Sequence, residues 1–139
     1  MGTSRDPDTD SRPPSSFEDN ILLLDTNALM SPFQFGFNLD SELERAVPEL
    51  RPVVPASVAR ELIHLVKHGD WKARAALRLA SKYDWVSVRG RGDAPIFNLA
   101  LNRGWAVMTQ DRLLRKNLIT RGIKVLVVRG GGHLTLLEP

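Results

Sequence analysis

The first strongly patterned stretch of the chain is Ile21-Leu22-Leu23-Leu24, an unbroken apolar run of the kind a parallel strand needs when both faces are covered. After it the period changes. Leu39, Leu43 and Val47 recur at i, i+4 and i+8 and predict a helix over Asn38 to Val47. Arg51–Val54 reads as a second short strand, and Pro55 opens a helix that buries Val58, Leu62 and Leu65 and closes at Gly69. Asp70 is placed to cap a further helix whose inward residues are Ala76, Leu79, Ala80 and Tyr83. The same alternation continues: a strand over Trp85–Val88, a helix over Asp93–Asn102, and a strand over Trp105–Met108. Gln110–Arg121 then reads as a helix stopped by Gly122, and Ile123–Val128 as a last strand before Gly130-Gly131-Gly132 and a short tail. Strands separated by helices predict an α/β fold, with a central parallel sheet of four to five strands, right-handed crossovers and helices on both faces.

Charge divides the chain. Residues 1–19, rich in Asp, Ser, Pro and Arg, carry five acids against two arginines, a balance of −3, so the remainder carries +6 of the total +3. The first part is expected to be a disordered leader and residues 20–139 a single domain. A basic domain suits an anionic polymer as partner. Cysteine is absent, which excludes disulfides, zinc–thiolate centres and thiol nucleophiles and fits a reducing, cytoplasmic setting. No apolar run is long enough to span a membrane, and the N-terminus lacks the apolar middle of a signal peptide.

Against that basic background four acids occupy telling positions. Asp25 ends the first strand, and Asp111 follows the Trp105–Met108 strand after Thr109 and Gln110. Asp93 opens the helix after the Trp85–Val88 strand, and Glu61 borders the apolar face of the helix that starts at Pro55. Ligands of open α/β sheets bind outside the carboxyl ends of the strands. Two carboxylates ~4 Å apart repel by roughly 4 kcal/mol at an effective dielectric near 20, so such a cluster calls for a hard divalent cation. The chemistry suggested is metal-assisted phosphodiester hydrolysis.

The segments LLLDTNALMSPFQFGFNLDSELERAVPE, VVPASVARELIHL, GDAPIFNLALNRG and AVMTQDRLLRKNL, in that order and spacing, resemble the PIN-domain nucleases across residues 20–129. The opening segment is most similar to the archaeal branch related to ribosome-biogenesis endonucleases that cleave precursor rRNA. The resemblance implies a three-layer α/β fold and a Mg²⁺ or Mn²⁺ site built from acids. By motif, Asp25, Glu61, Asp93 and Asp111 match the family's acids, with Ile96 completing the D-x-x-I motif and Thr109 the T-x-D motif. It further implies an RNA substrate and an endoribonuclease that leaves 5′-phosphate and 3′-hydroxyl ends; a homodimer and ribosome-assembly factors are the other partners to be considered. Many relatives carry two adjacent acids where this chain has Asp93-Ala94, so an accessory ligand is missing. A toxin-type PIN ribonuclease paired with an antitoxin, and a catalytically weak RNA-binding assembly factor, are the rival readings. Ala94 favours the second rival and the four acids argue against it.

Other residues keep two readings open. Asp25, Asp93 and Asp111 could act only as turn or helix caps, and Glu61 could be a solvated flank. Asn27 and Thr109 could orient a carboxylate, and Thr109 could equally be a plain N-cap. Arg112, Arg115 and Lys116, at i, i+3 and i+4, read as a phosphate-binding stripe or a solvated face, and Arg91 is a further RNA-binding candidate. Phe33, Phe35 and Phe37 sit in an expected loop after the first strand, where they would pack into the core, form a dimer interface or stack on single-stranded bases. His64 and His68 have chelating spacing but no glutamate between them to serve as a base.

Overall fold

Every residue of β1 (Ile21–Leu24) is fully buried, because this strand lies in the interior of the sheet with strands on both sides. In the computed structural model, which describes residues 14, 15 and 18–139, the order is β3-β2-β1-β4-β5-β6. β2 (Arg51–Pro55), β3 (Asp84–Val86), β4 (Ala106–Met108) and β5 (Val125–Arg129) run parallel to their neighbours in the β1 direction. The five parallel strands meet the expected count. A sixth, β6 (His133–Leu137), runs antiparallel to β5 and replaces the expected short tail. The expected leader lies outside the described residues except for Pro14, Ser15, Glu18 and Asp19. Of these, Glu18 is docked on the domain, where its carbonyl accepts from Trp105 Nε1 at 2.7 Å.

The helices are α1 (Thr26–Phe35), α2 (Leu39–Ala46), α3 (Ala56–Lys67), α4 (Trp71–Ala80), α5 (Ala94–Arg103) and α6 (Arg112–Thr120). They flank the sheet: α1, α3 and α4 pack on one another, while α5 and α6 pack together and against β4 and β5. From β1 the chain moves outward to β2 and β3, then returns to β4 on the other side of β1. The strand order therefore reverses between β1 and β4. The carboxyl ends of those two strands, Leu24 and Met108, are in register and carry Asp25 and Thr109 just beyond. A reversal of this kind opens a crevice for ligand.

The segment after β1 is a helix where a loop was expected. Asp25 caps α1 through Oδ1, which accepts from the Ala28 N–H at 2.8 Å, and Gly36 ends it in the left-handed region at φ 76°. Pro32 sits inside this helix and cannot donate to the Ala28 carbonyl. Ser31 Oγ donates to that carbonyl instead, at 2.6 Å. Ser31→Ala is expected to leave the buried carbonyl without a donor and to cost ~1–3 kcal/mol. An unchanged urea midpoint would contradict this account of α1. Phe33 and Phe37 pack against the core, as the inward reading had it, and Phe35 is exposed.

The remaining departures are at element edges. β3 stops at Val86, because its partner β2 ends at Pro55 where α3 begins, and Ser87 and Val88 have no strand to pair with. The Val88 carbonyl accepts from Arg60 Nη2 at 2.9 Å instead. β6 is held at the sheet edge by α2. Glu42 Oε1 accepts from the Leu134 N–H at 2.9 Å, and Arg45 Nη2 donates to the Leu134 carbonyl at 2.7 Å. An edge strand so engaged is not free to pair with another chain at that residue.

Candidate active site

Asp25 is the most buried acid of the chain's described residues, only 4% exposed at the end of β1. One carboxylate oxygen caps α1, and the Thr109 hydroxyl donates to the carboxylate as well. Burial pushes its pKa from the ordinary 3.8 to about 7. The two hydrogen bonds oppose that rise, and the negative charges of Asp93 and Asp111 add to it. A carboxylate here is poorly solvated and forms no ion pair among the described residues.

Asp111 is fixed by its own helix. Its Oδ1 accepts from the Leu114 N–H at 3.0 Å as the N-cap of α6, and its backbone N–H donates to Thr109 Oγ1 at 3.1 Å. Thr109 is fully buried and is not itself the cap: it joins the Asp25 carboxylate to the Asp111 backbone. Asn27 acts one step away, where its Oδ1 accepts from the Gln110 N–H at 2.8 Å. Gln110 Oε1 in turn accepts from Val128 N–H at 2.8 Å, so the 109–111 turn is tied to both α1 and β5.

Asp93 precedes α5 without capping it, since its side chain makes no bond to the helix N–H groups. Partial burial raises its pKa, followed by the Asp111 charge, a hydrogen bond with the Asp111 carboxyl, and Glu61. Glu61 is exposed on α3 and is held by Thr26, whose Oγ1 donates to Glu61 Oε1 at 2.7 Å. All four acids line one cavity of about 330 Å³, with Thr26 and Asn27 beside them and Met30, Val58, Leu65 and Ile96 as its apolar lining.

Among the described residues no three acidic or histidine side chains converge tightly enough to form a ready-made cation cage. The acids face the common space at a wider spacing. The donor set is nonetheless all oxygen, and two of its members, Asp25 and Asp93, resist ionisation because of burial and the negative charge of their neighbours. Hard divalent cations take such donors and would relieve both conditions. The residues present therefore fit a Mg²⁺-type ion. Asp25, Asp93 and Asp111 are the groups that could hold it, with Glu61 at the margin.

A second cavity, of about 300 Å³, adjoins the first and shares Ser57, Glu61 and Gly92 with it. Arg60, His64 and Arg91 line it, so Arg91 is the only RNA-binding candidate from the sequence that borders either cavity. Arg112 and Lys116 are exposed and Arg115 half-buried on α6, and none forms an ion pair among the described residues. Ala94 is exposed and lines neither cavity. The His64 and His68 rings pack against one another with centroids 4.3 Å apart and planes tilted by 46°. Sequence reasoning missed Thr26, Ser57 and Arg60; of these only Thr26, next to Asp25, carried a local signal.

Comparison with known proteins agrees with this fold. The family profile described as PIN-like domain matches residues 22–131. Among solved structures, that titled the PIN domain endonuclease Utp24 superposes with a TM-score of 0.74 at 22% identity, covering 90% of this chain and 96% of that one. No curated protein matches the chain.

Proposed function

Because the chain belongs to the PIN-like domain family, we propose that it is a metal-dependent endoribonuclease, with Mg²⁺ or Mn²⁺ as cofactor and RNA as substrate. The observation that carries this reading is the convergence of Asp25, Glu61, Asp93 and Asp111 on one cavity at the β1–β4 switch point. The likeness of the opening segment to ribosome-biogenesis PIN endonucleases supports precursor rRNA as the RNA class. The similar structure's title, an endonuclease, supports internal cleavage.

Asp25, Asp93 and Asp111 would hold the ion. A bound divalent cation would supply an acidified water and offset the charge that develops on the phosphate oxygens. The chain's own groups do the positioning. Thr109 and the Ala28 N–H aim Asp25, and the Leu114 N–H aims Asp111. Thr26 occupies Glu61 Oε1, which leaves Oε2 to orient the attacking water or take its proton. The apolar lining from Val58, Leu65 and Ile96 keeps the local dielectric low, which strengthens each of these interactions. In this reading the nucleophile is a water, and the Thr26 hydroxyl, which donates to Glu61 Oε1, serves to hold that carboxylate in place. The stripe of Arg112, Arg115 and Lys116 extends the RNA-facing surface along α6.

The test is a cleavage assay on structured and single-stranded RNAs, including a precursor-rRNA fragment, with Mn²⁺, Mg²⁺ or EDTA. Internal cuts leaving 5′-phosphate and 3′-hydroxyl ends are expected with either ion and none in EDTA. Cutting that persists in EDTA would overturn the metal mechanism. RNA binding without cutting under every condition would leave the assembly-factor reading.

A further inference from the structure

The basic cavity beside the acids has no part in the chemistry just described. We propose that it is a phosphate subsite, which seats the phosphodiester next to the scissile one on a single-stranded RNA; this rests on the reading of the acid cavity as the cleavage site. The two cavities share a wall at Ser57, Glu61 and Gly92, so a strand leaving one enters the other. Their charges are opposite. Acidic side chains repel a polyanion on one side, and the guanidinium groups of Arg60 and Arg91 attract it on the other.

The donors are available. Arg91 forms no ion pair among the described residues. Arg60 spends only Nη2 on the chain, donating to the carbonyls of Val88 at 2.9 Å and Gly90 at 3.2 Å, and keeps its Nε and Nη1 donors. Those bonds also fix the 88–92 loop against α3, so the subsite is formed before RNA arrives. Ser57 Oγ is buried without a hydrogen-bond partner, a position that costs free energy until a partner is supplied. Gly92, at φ 73°, presents bare backbone between Arg91 and Asp93, and nothing lies within 4 Å of where a Cβ would point. The strand passes over it unobstructed.

The same lining argues for phosphate over base. The only ring among the lining residues, His64, already packs against His68 in a tilted pair, and no Phe, Tyr or Trp lines the space. A volume of about 300 Å³ is at the small end of ligand sites and suits one backbone unit. The subsite therefore reads charge and spacing, with no sequence preference.

The experiment measures equilibrium binding of short fluorescent single-stranded RNAs in EDTA, where cleavage does not interfere. Each oligonucleotide carries one neutral methylphosphonate, stepped along the strand. Arg91 is exposed, so Arg91→Ala leaves folding intact, which a thermal melt verifies. Arg91→Ala should lower the slope of log K against log [salt] by ~0.7, the equivalent of one phosphate contact. Affinity should fall several-fold at low salt and converge with the parent at high salt, and Arg91→Lys should restore most of the slope. In the parent, a methylphosphonate at one linkage should weaken binding, and in Arg91→Ala that position should become silent. An unchanged slope, identical methylphosphonate profiles, or no parental RNA binding at low salt would overturn the subsite. If the profile appears but no ion supports cutting, the nuclease reading fails while the subsite stands. If metal-dependent cutting occurs with Arg91→Ala binding as the parent does, the subsite alone fails.

Discussion

Asp25→Asn should lower RNA cleavage by at least ~100-fold, about 2.7 kcal/mol in the barrier, while making the metal-free protein more stable above neutral pH. Both effects follow from one buried carboxyl. Its folded pKa is about 7 against an ordinary 3.8, so the native state holds this proton far more firmly than the unfolded chain. Below pH ~4 the carboxyl is protonated in both states and costs nothing. As pH rises the unfolded chain releases its proton first, and stability is lost progressively until the native pKa is passed. The whole loss is roughly 4 kcal/mol, because each pH unit between the unfolded and native pKa values removes ~1.4 kcal/mol. Asparagine keeps an oxygen to accept from the Ala28 N–H and carries no charge to desolvate. In chelator at pH 8 the variant should therefore melt above the parent, and the gap should close towards pH 4. Parent and variant melting alike across that range would refute the buried-charge account, and a variant cleaving at the parental rate would remove Asp25 from the mechanism.

Why these acids were legible and other features were not comes down to range. Asp25, Asp93 and Asp111 stand at the ends of short apolar runs or the starts of periodic ones, so the alternation of strand and helix alone puts them near one sheet edge. Glu61 was placed from its neighbours Val58 and Leu62, one of which, Val58, lines the same cavity. The role of Thr109 depends on the β1–β4 register, which joins residues more than eighty positions apart. α1 was hidden by Pro32, an ordinary helix breaker, because its rescue lies in a single hydroxyl bond from Ser31. β6 was hidden for a similar reason: the backbone of Leu134 is satisfied by Glu42 and Arg45, ninety residues away in sequence. Arg60 carried no signal in the sequence, because only the path of the 88–92 loop gives it carbonyls to hold.

Mn²⁺ or Mg²⁺ should raise the melting temperature, and far more at pH 8 than at pH 5.5. An ion bound only by the folded state stabilises it by ~2.7 kcal/mol at 100-fold over Kd, roughly 10 °C for a domain of this size. The ion needs Asp25 ionised, so below the native pKa of about 7 it must first displace a proton. Each pH unit below that point removes about tenfold in affinity, or ~1.4 kcal/mol. At pH 5.5 most of the shift should be gone. The raised pKa of Asp93, from partial burial and the neighbouring Asp111 charge, works in the same direction. Asp111→Asn and Asp25→Asn should each abolish the shift at pH 8 by removing a ligand charge, although Asp25→Asn raises the metal-free baseline. The measurement is a thermal melt of parent and both variants at the two pH values, with and without 5–10 mM ion. A shift equal at both pH values, or retained by both variants, would place the ion away from these carboxylates. No shift in the parent at either pH would leave the convergence of the four acids without a cation to explain it.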